Sequence, residues 1–329
     1  MSLVTVIISK MQSPNNSDTL SARLITVDSE QGGQRLDNFL LAQLKGVPRS
    51  RIYRMMRTGE VRVNKGRAKA SYRIEAGDTI RLPPVRQAEP TPTKVPARLI
   101  AALEQAILYE DERLIVLNKP AGIAVHGGSG LDWGVIEALR ASTVPRHYLE
   151  LVHRLDRETS GCLMLAKRRS ALRNLHEQLR TSAIGKRYLA LVKGQWQGAQ
   201  QQIDYPLRKN ILQSGERIVR VDAQGKDAVS IFTPLQRFAT ATLMQVEVIT
   251  GRTHQIRVHA AHHGFPLAGD EKYGDADFNR QMRQLGLKRL FLHASQLRLT
   301  KPQDDKPITV DAPLPEELDR LLRELKSAA

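Results

Sequence analysis

The sequence predicts an α+β protein: a large domain built on a mixed, largely antiparallel sheet, preceded by a small α/β domain. Three observations predict it. Short apolar runs alternate with helical periods in irregular order, without the strand-helix repetition of a parallel fold. Pro83, Pro84, Pro90, Pro92 and Pro96 crowd one stretch, and proline at that density favours an extended linker. The chain's 329 residues also exceed one typical domain. The expected order is a disordered lead over 1–21, a small domain over 22–82, a Pro-rich linker over 83–104 and the large domain over 105–329.

The lead carries Ser-Pro-Asn-Asn-Ser-Asp and no sustained period. In the small domain Leu36, Phe39, Leu40 and Leu44 recur at helical spacing, and Gly46-Val47-Pro48 ends that helix. Ser50 is the expected N-cap of a second helix running to Gly59. Its inner stripe is Ile52, Met55 and Met56, while Arg51, Arg54 and Arg57 recur on another face. Short strands follow at Val61-Arg62-Val63 and 78–82, with a turn at Asn64-Lys65-Gly66. In the large domain 107–109 and 114–117 read as a hairpin, and Cys162-Leu163-Met164-Leu165-Ala166 as a buried strand. Residues 170–181 place Leu172, Leu175 and Leu179 on one helical face, and 186–192 follow as a strand. Strand signals at 229–238 and 242–248 precede a helix over 253–263, stopped by Gly264. A last helix covers 315–327.

Composition narrows the partners. Lys and Arg number 50 against 34 Asp and Glu, a net charge of +16. Such an excess suits a polyanion, with nucleic acid the first candidate. Between Lys45 and Arg73 stand ten basic residues and a single acid, Glu60. Nearly unopposed charge repels itself unless phosphates neutralise it, so Arg51, Arg54, Arg57, Arg62 and Lys65 are the candidate RNA contacts. The one cysteine, Cys162, excludes an internal disulfide and any multi-Cys metal centre. No apolar run is long enough to span a membrane. Residues 4–8 are too short for a signal core and lack a basic flank. A cytoplasmic protein is expected, monomeric for want of a coiled-coil or interface signature.

Four stretches combine charge, glycine and aromatic residues in ways a plain core does not need: 118–122, 153–161, 186–190 and 250–259. A fifth, 290–294, is mostly apolar. Gly-rich nucleotide loops, zinc-protease motifs and serine elbows are absent. In the cluster His254, His259, His262 and His263, only His259 and His263 share a helical face, and no acid or Cys completes a set. Neither metal nor cofactor is therefore expected. What remains is Asp156, between Arg154 and Arg157. A lone Asp at such a site is a nucleophile or an electrostatic stabiliser, and needs a neighbouring Arg to orient it. Arg257 is the candidate for that place. Tyr188 can stack on a nucleobase, and Arg154 can fill the space a flipped base vacates. Lys119 is either a pocket residue or a strand-end surface charge, and His254 is structural or phosphate-facing.

The small domain resembles the S4 RNA-binding domain through Arg35-Leu36-Asp37-Asn38-Phe39-Leu40, Ser50-Arg51, Gly59–Asn64 and Gly77-Asp78. In the large domain His153-Arg154-Leu155-Asp156-x-x-Thr159-Ser160-Gly161, Lys186-x-Tyr188-x-Ala190 and Gly251-Arg252-Thr253-His254-Gln255-Ile256-Arg257-Val258-His259 together resemble the RluA family of pseudouridine synthases. Stretches 126–130 and 210–220 extend that resemblance. It implies cofactor-free isomerisation of uridine to pseudouridine in large-subunit (23S) ribosomal RNA. It implies further that Asp156 is the catalytic carboxylate, Arg257 its salt-bridge partner, Tyr188 the base-stacking residue and a proton acceptor, Arg154 the flipping wedge and Leu292 a wall of the base pocket. Attack on C1′, attack on C6 and proton abstraction leading to a glycal are all open to Asp156. The alternative reading is a non-catalytic S4-type RNA-binding or ribosome-assembly factor, in which Asp156 is dispensable.

Overall fold

The computed structural model describes residues 21–44, 46–85, 95–128, 133–211 and 217–327. The expected disordered lead, apart from Ser21, lies outside the described residues. The chain divides into two compact units on either side of residues 92–93.

The first unit holds β1 (Arg23–Thr26), α1 (Leu36–Gln43), α2 (Arg49–Thr58), β2 (Arg62–Val63) and β3 (Thr79–Leu82). Its antiparallel sheet runs β1-β3-β2. Leu36, Phe39 and Leu40 of α1 pack on Ile52, Met55 and Met56 of α2 and on Ile80. Each such side chain contributes about 1.5–3 kcal/mol by leaving water. The N-cap of α2 is Pro48 rather than Ser50, which lies inside the first turn. Proline is tolerated there because the first helical N–H groups have no intrahelical acceptor. Gly59 ends the helix at φ 79°, a conformation glycine adopts without steric cost. Arg51, Arg54, Arg57, Arg62 and Lys65 are all exposed. The four-residue strand β1 escapes the sequence reading because its mostly exposed residues show no clean alternation.

The second unit opens with α3 (Ala97–Gln105), β4 (Ile107–Glu110), β5 (Leu114–Lys119), α4 (Val135–Arg140) and β6 (Glu150–Leu151). Then come β7 (Ser160–Ala166), α5 (Arg169–Arg180), β8 (Gly185–Lys193), β9 (Gln201–Ile203), β10 (Leu207–Ile211) and β11 (Arg217–Val221). The chain closes with β12 (Ser230–Arg237), β13 (Ala241–Val248), α6 (Gln255–His262), α7 (Ala276–Gln284), β14 (Leu292–Thr300), β15 (Pro307–Asp311) and α8 (Glu316–Ser327). The expected linker over 83–104 is too long: Pro96 stands at the N-cap of α3, whose Leu103 is wholly buried. Proline ahead of a helix starts it rather than preventing it.

Among the described residues the main sheet runs β4-β5-β7-β14-β8-β13-β12-β9, with β15 paired to β14 and β6 to β7. Of these described strands only β7 and β14 pair in parallel, through His293 with Ser160 and Ala294 with Gly161. A two-stranded ribbon, β10 with β11, stands apart. All seven residues of β7 are buried, as expected of a continuous apolar run covered on both faces. One core joins β5 and β7 to α3, α4 and α5. Two others join β8, β12 and β13 to α6, α7 and α8. At the seam Gly161 has φ 106°, and a Cβ there would lie 2.2 Å from the Ala294 carbonyl oxygen. The close approach of β7 to β14 therefore requires glycine. No described helix is long and apolar enough to cross a membrane.

Candidate active site

Asp156 lies in the loop between β6 and β7, at the N-terminal end of the buried strand. Leu155 anchors this loop in the core, and Thr159 N–H closes its turn on the Asp156 carbonyl at 3.1 Å. Lys119 secures it from below. Its fully buried ammonium donates to the carbonyls of Pro120 at 2.7 Å, Ile123 at 2.9 Å and Arg157 at 3.0 Å. Burial lowers its pKa to about 7, while each of the three ammonium hydrogens has an acceptor. Lys119 is thus neither a pocket residue nor a surface charge but a strut beneath the Asp156 loop. His153 holds the same loop to β7 by accepting Met164 N–H at 3.1 Å, and burial lowers its pKa to about 4.

The Asp156 carboxylate, 26 % exposed, faces a cavity of about 370 Å³, within the range of small-ligand pockets. Arg154, Tyr188, His254, Arg257 and Leu292 line it as well. Tyr188 and Lys186 reach it from β8, where residues two apart share a face. Burial first, and Asp156 second, push the Tyr188 phenol above its ordinary pKa, so it is a neutral ring with a hydroxyl to share. Leu292 is buried on β14 opposite Ala190. Arg154 is exposed.

Arg257 reaches the cavity from α6, but Asp156 is not its main partner. Its Nε and Nη2 form a fork on Asp270, at 2.7 and 2.8 Å. Nη1 alone approaches Asp156 Oδ2, at 3.5 Å. Asp270 also accepts the N–H groups of Lys272 at 2.9 Å and Tyr273 at 3.0 Å. Its burial would raise the carboxyl's pKa, but the guanidinium and these amides outweigh that and hold it below the ordinary range. The Arg257 guanidinium lies 5.1 Å from the Tyr273 ring centroid, a cation–π contact.

The sequence reading missed Asp270 and Tyr273, and misplaced His254. The expected helix over 253–263 starts only at Gln255, because His254 has φ 53°. The His254 ring faces Asp156, with Nε2 3.8 Å from Oδ2. Its Nδ1 is 2.8 Å from the Tyr273 hydroxyl. Burial lowers the imidazole pKa and Asp156 opposes this only in part. His259 is occupied elsewhere, by Ser230 Oγ and the Tyr205 carbonyl. The available signal for the missed pair was Gly269-Asp270-x-x-Tyr273-Gly274, two glycines bracketing a polar loop just after a basic helix.

Comparison with known proteins gives this geometry a chemical context. The RNA pseudouridylate synthase family matches residues 113–262, and the S4 domain family residues 34–80. Ribosomal large subunit pseudouridine synthase C of Haemophilus influenzae is 54% identical over 310 residues, 94% of this chain and 96% of that protein. The synthase of the same name from Escherichia coli K12 is 54% identical over 316 residues, 95% of this chain and 99% of its own length. Among solved structures, Human RNA Pseudouridylate Synthase Domain Containing 4 superposes with a TM-score of 0.57 at 27% identity, covering 70% of this chain and 96% of its own. With a matching catalytic domain, a matching S4 domain and identity above one half across nearly its whole length, the chain belongs to the RNA pseudouridylate synthase family and is an RNA pseudouridine synthase.

Proposed function

We propose that this synthase isomerises uridines in large-subunit ribosomal RNA, with Asp156 as its catalytic carboxylate, acting as a cytoplasmic monomer without a cofactor. One observation carries the reading: a carboxylate open to a nucleotide-sized cavity, set against an arginine that Asp270 holds in place. Binding RNA requires no such group, since a carboxylate repels phosphate. The names of the two bacterial relatives supply the substrate class.

The reaction breaks the N1–C1′ bond, turns the uracil and rejoins it through C5. C5 gives up a proton and N1 takes one up, so the change is redox-neutral. In this reading Asp156 provides the negative group at the reacting centre and Arg257 orients it. Tyr188 supplies the face on which the base stacks, and Leu292 the apolar wall behind it. Arg154 occupies the gap in the RNA stack after the base leaves. Arg51, Arg54, Arg57, Arg62 and Lys65 of the S4 domain neutralise phosphates.

The test is carbodiimide adduction and primer extension on large-subunit ribosomal RNA incubated with the protein. New stops at defined uridines are expected. Their absence on both naked RNA and assembly intermediates would contradict the substrate assignment.

A further inference from the structure

We infer that His254 is a further active-site residue, whose Nε2–H donates a hydrogen bond to uracil O2 as the glycosidic bond breaks. This rests on the reading of Asp156 and the reaction given above. The first observation is the backbone. His254 sits at φ 53° and ψ 21°, a region that costs a non-glycine residue about 1–3 kcal/mol and persists only where the surroundings impose it. Here they do. Gln255 Oε1 accepts from Thr250 Oγ1 at 2.6 Å and Arg252 N–H at 3.0 Å. Its amide nitrogen donates to the Val229 carbonyl at 2.9 Å and to Ser230 Oγ at 2.8 Å. The turn that aims His254 is pinned on both sides of Gln255.

The second observation favours one tautomer. The Tyr273 hydroxyl oxygen accepts Val219 N–H at 3.0 Å, which leaves its own hydrogen to donate to His254 Nδ1 at 2.8 Å. A bare Nε2 lone pair would face the Asp156 carboxylate, so the arrangement favours Nδ1 as acceptor and, in a neutral ring, a proton on Nε2. That N–H faces Asp156 Oδ2 at 3.8 Å, beyond hydrogen-bond length. The donor is aimed beside the carboxylate without being consumed by it, and it lines the same cavity.

Chemistry identifies what such a donor meets. When N1–C1′ breaks, its electron pair goes to the base, and the uracil anion spreads that charge from N1 onto O2. A donor next to the group that attends C1′ is next to O2. His254 keeps its proton throughout. It stabilises charge that appears only as the bond opens, where one preorganised donor is worth about 10²–10³ in rate. Routes that expel uracil as an anion, by attack on C1′ or through a glycal, gain from this. In attack on C6 the addition itself gains little, because it places the charge on C5 and O4, and the gain comes only at the later N1–C1′ cleavage.

Two variants of the full-length protein test the inference, compared with wild type in single turnovers on ribosomal RNA. His254→Asn suits the left-handed backbone, but its amide ends at the level of Nδ1 and cannot reach. His254→Gln suits that backbone less well, yet carries an N–H where Nε2 stood. A donor role predicts that Asn loses at least a hundredfold in rate, that Gln recovers at least tenfold of this, and that RNA Kd stays unchanged. A merely structural role predicts the opposite order, with Asn the better variant. Asn matching wild type, or a loss confined to RNA affinity, would overturn the inference and leave the proposed function standing. A wild type without turnover would overturn both.

Discussion

Replacing Asp270 by Asn separates the arginine from the group that holds it. Asp270 is 1 % and Arg257 11 % exposed, so the pair is largely shielded from water. Asn retains one oxygen for the Lys272 and Tyr273 amides but loses the charge, and turns an NH₂ towards one guanidinium nitrogen. Breaking a buried pair on one side costs about 3–5 kcal/mol. The retained oxygen and the second carboxylate, Asp156 at 3.5 Å, place the cost near the lower end, about 3 kcal/mol. For a domain of this size that lowers Tm by about 6–12 °C. Arg257, released from its fork, then closes on Asp156 and masks it, and single-turnover rates fall by about ten- to a hundredfold with RNA affinity unchanged. The pH dependence has a definite sign. The Asp270 carboxyl is held below its ordinary 3.8, so its stabilisation is present above that pH and is lost as pH falls through the folded-state pKa. The stability gap between wild type and variant should therefore be steady from pH 7 to about 4 and close below. Thermal unfolding across that range, beside single-turnover assays, reads all of these. A variant with wild-type Tm and rate would refute the claim that Asp270 positions Arg257.

Three further outcomes are expected. His153 has a pKa near 4 in the fold against an ordinary 6.5, so the unfolded chain takes up the proton first as pH drops below 6.5. Stability should fall by up to about 3 kcal/mol between pH 6.5 and 4, and His153→Gln, which keeps an acceptor for Met164 N–H, should remove that limb in urea unfolding; an unchanged limb would acquit His153. Gly161→Ala should destabilise the catalytic unit by roughly 2–4 kcal/mol, since the added methyl meets the Ala294 carbonyl at a positive φ, and an unaltered melting curve would contradict the seam described. Reversing Arg51 and Arg54 to Glu should make the slope of log K against log salt shallower by roughly 1.5, whereas an identical salt titration would remove the S4 helix from the RNA interface.

Much of the fold was legible because its signals are local. The Leu36, Phe39, Leu40 and Leu44 period reports α1, and the unbroken run from Cys162 to Ala166 reports a doubly covered strand. Part of what escaped was short or polar, although α3 and β14, of nine residues each, escaped as well. α4 spans only six residues, β6 two, and the β10–β11 ribbon interrupts its apolar residues with Arg208, Lys209, Arg217 and Arg220. The site divides in the same way. Asp156, Tyr188, Arg257 and Leu292 stand in recognisable stretches, and the fold gathers them around one cavity. Asp270 and Tyr273 come from a loop whose partners only the tertiary structure supplies. Lys119 defied expectation because lysine is almost never wholly buried, and nothing in its neighbours announces three converging carbonyls. His254 was expected inside α6 because a helical period cannot reveal one left-handed residue at its start.

The most direct test uses ribosomal RNA carrying tritium at uridine C5. Joining the base through C5 expels that hydrogen, so release into water counts isomerisations and separates them from simple loss of the base. Wild type should release tritium in proportion to the pseudouridine formed. Asp156→Asn, folded and still binding RNA, should release none. Release by Asp156→Asn at the wild-type rate would contradict the assignment of that carboxylate and the account built upon it.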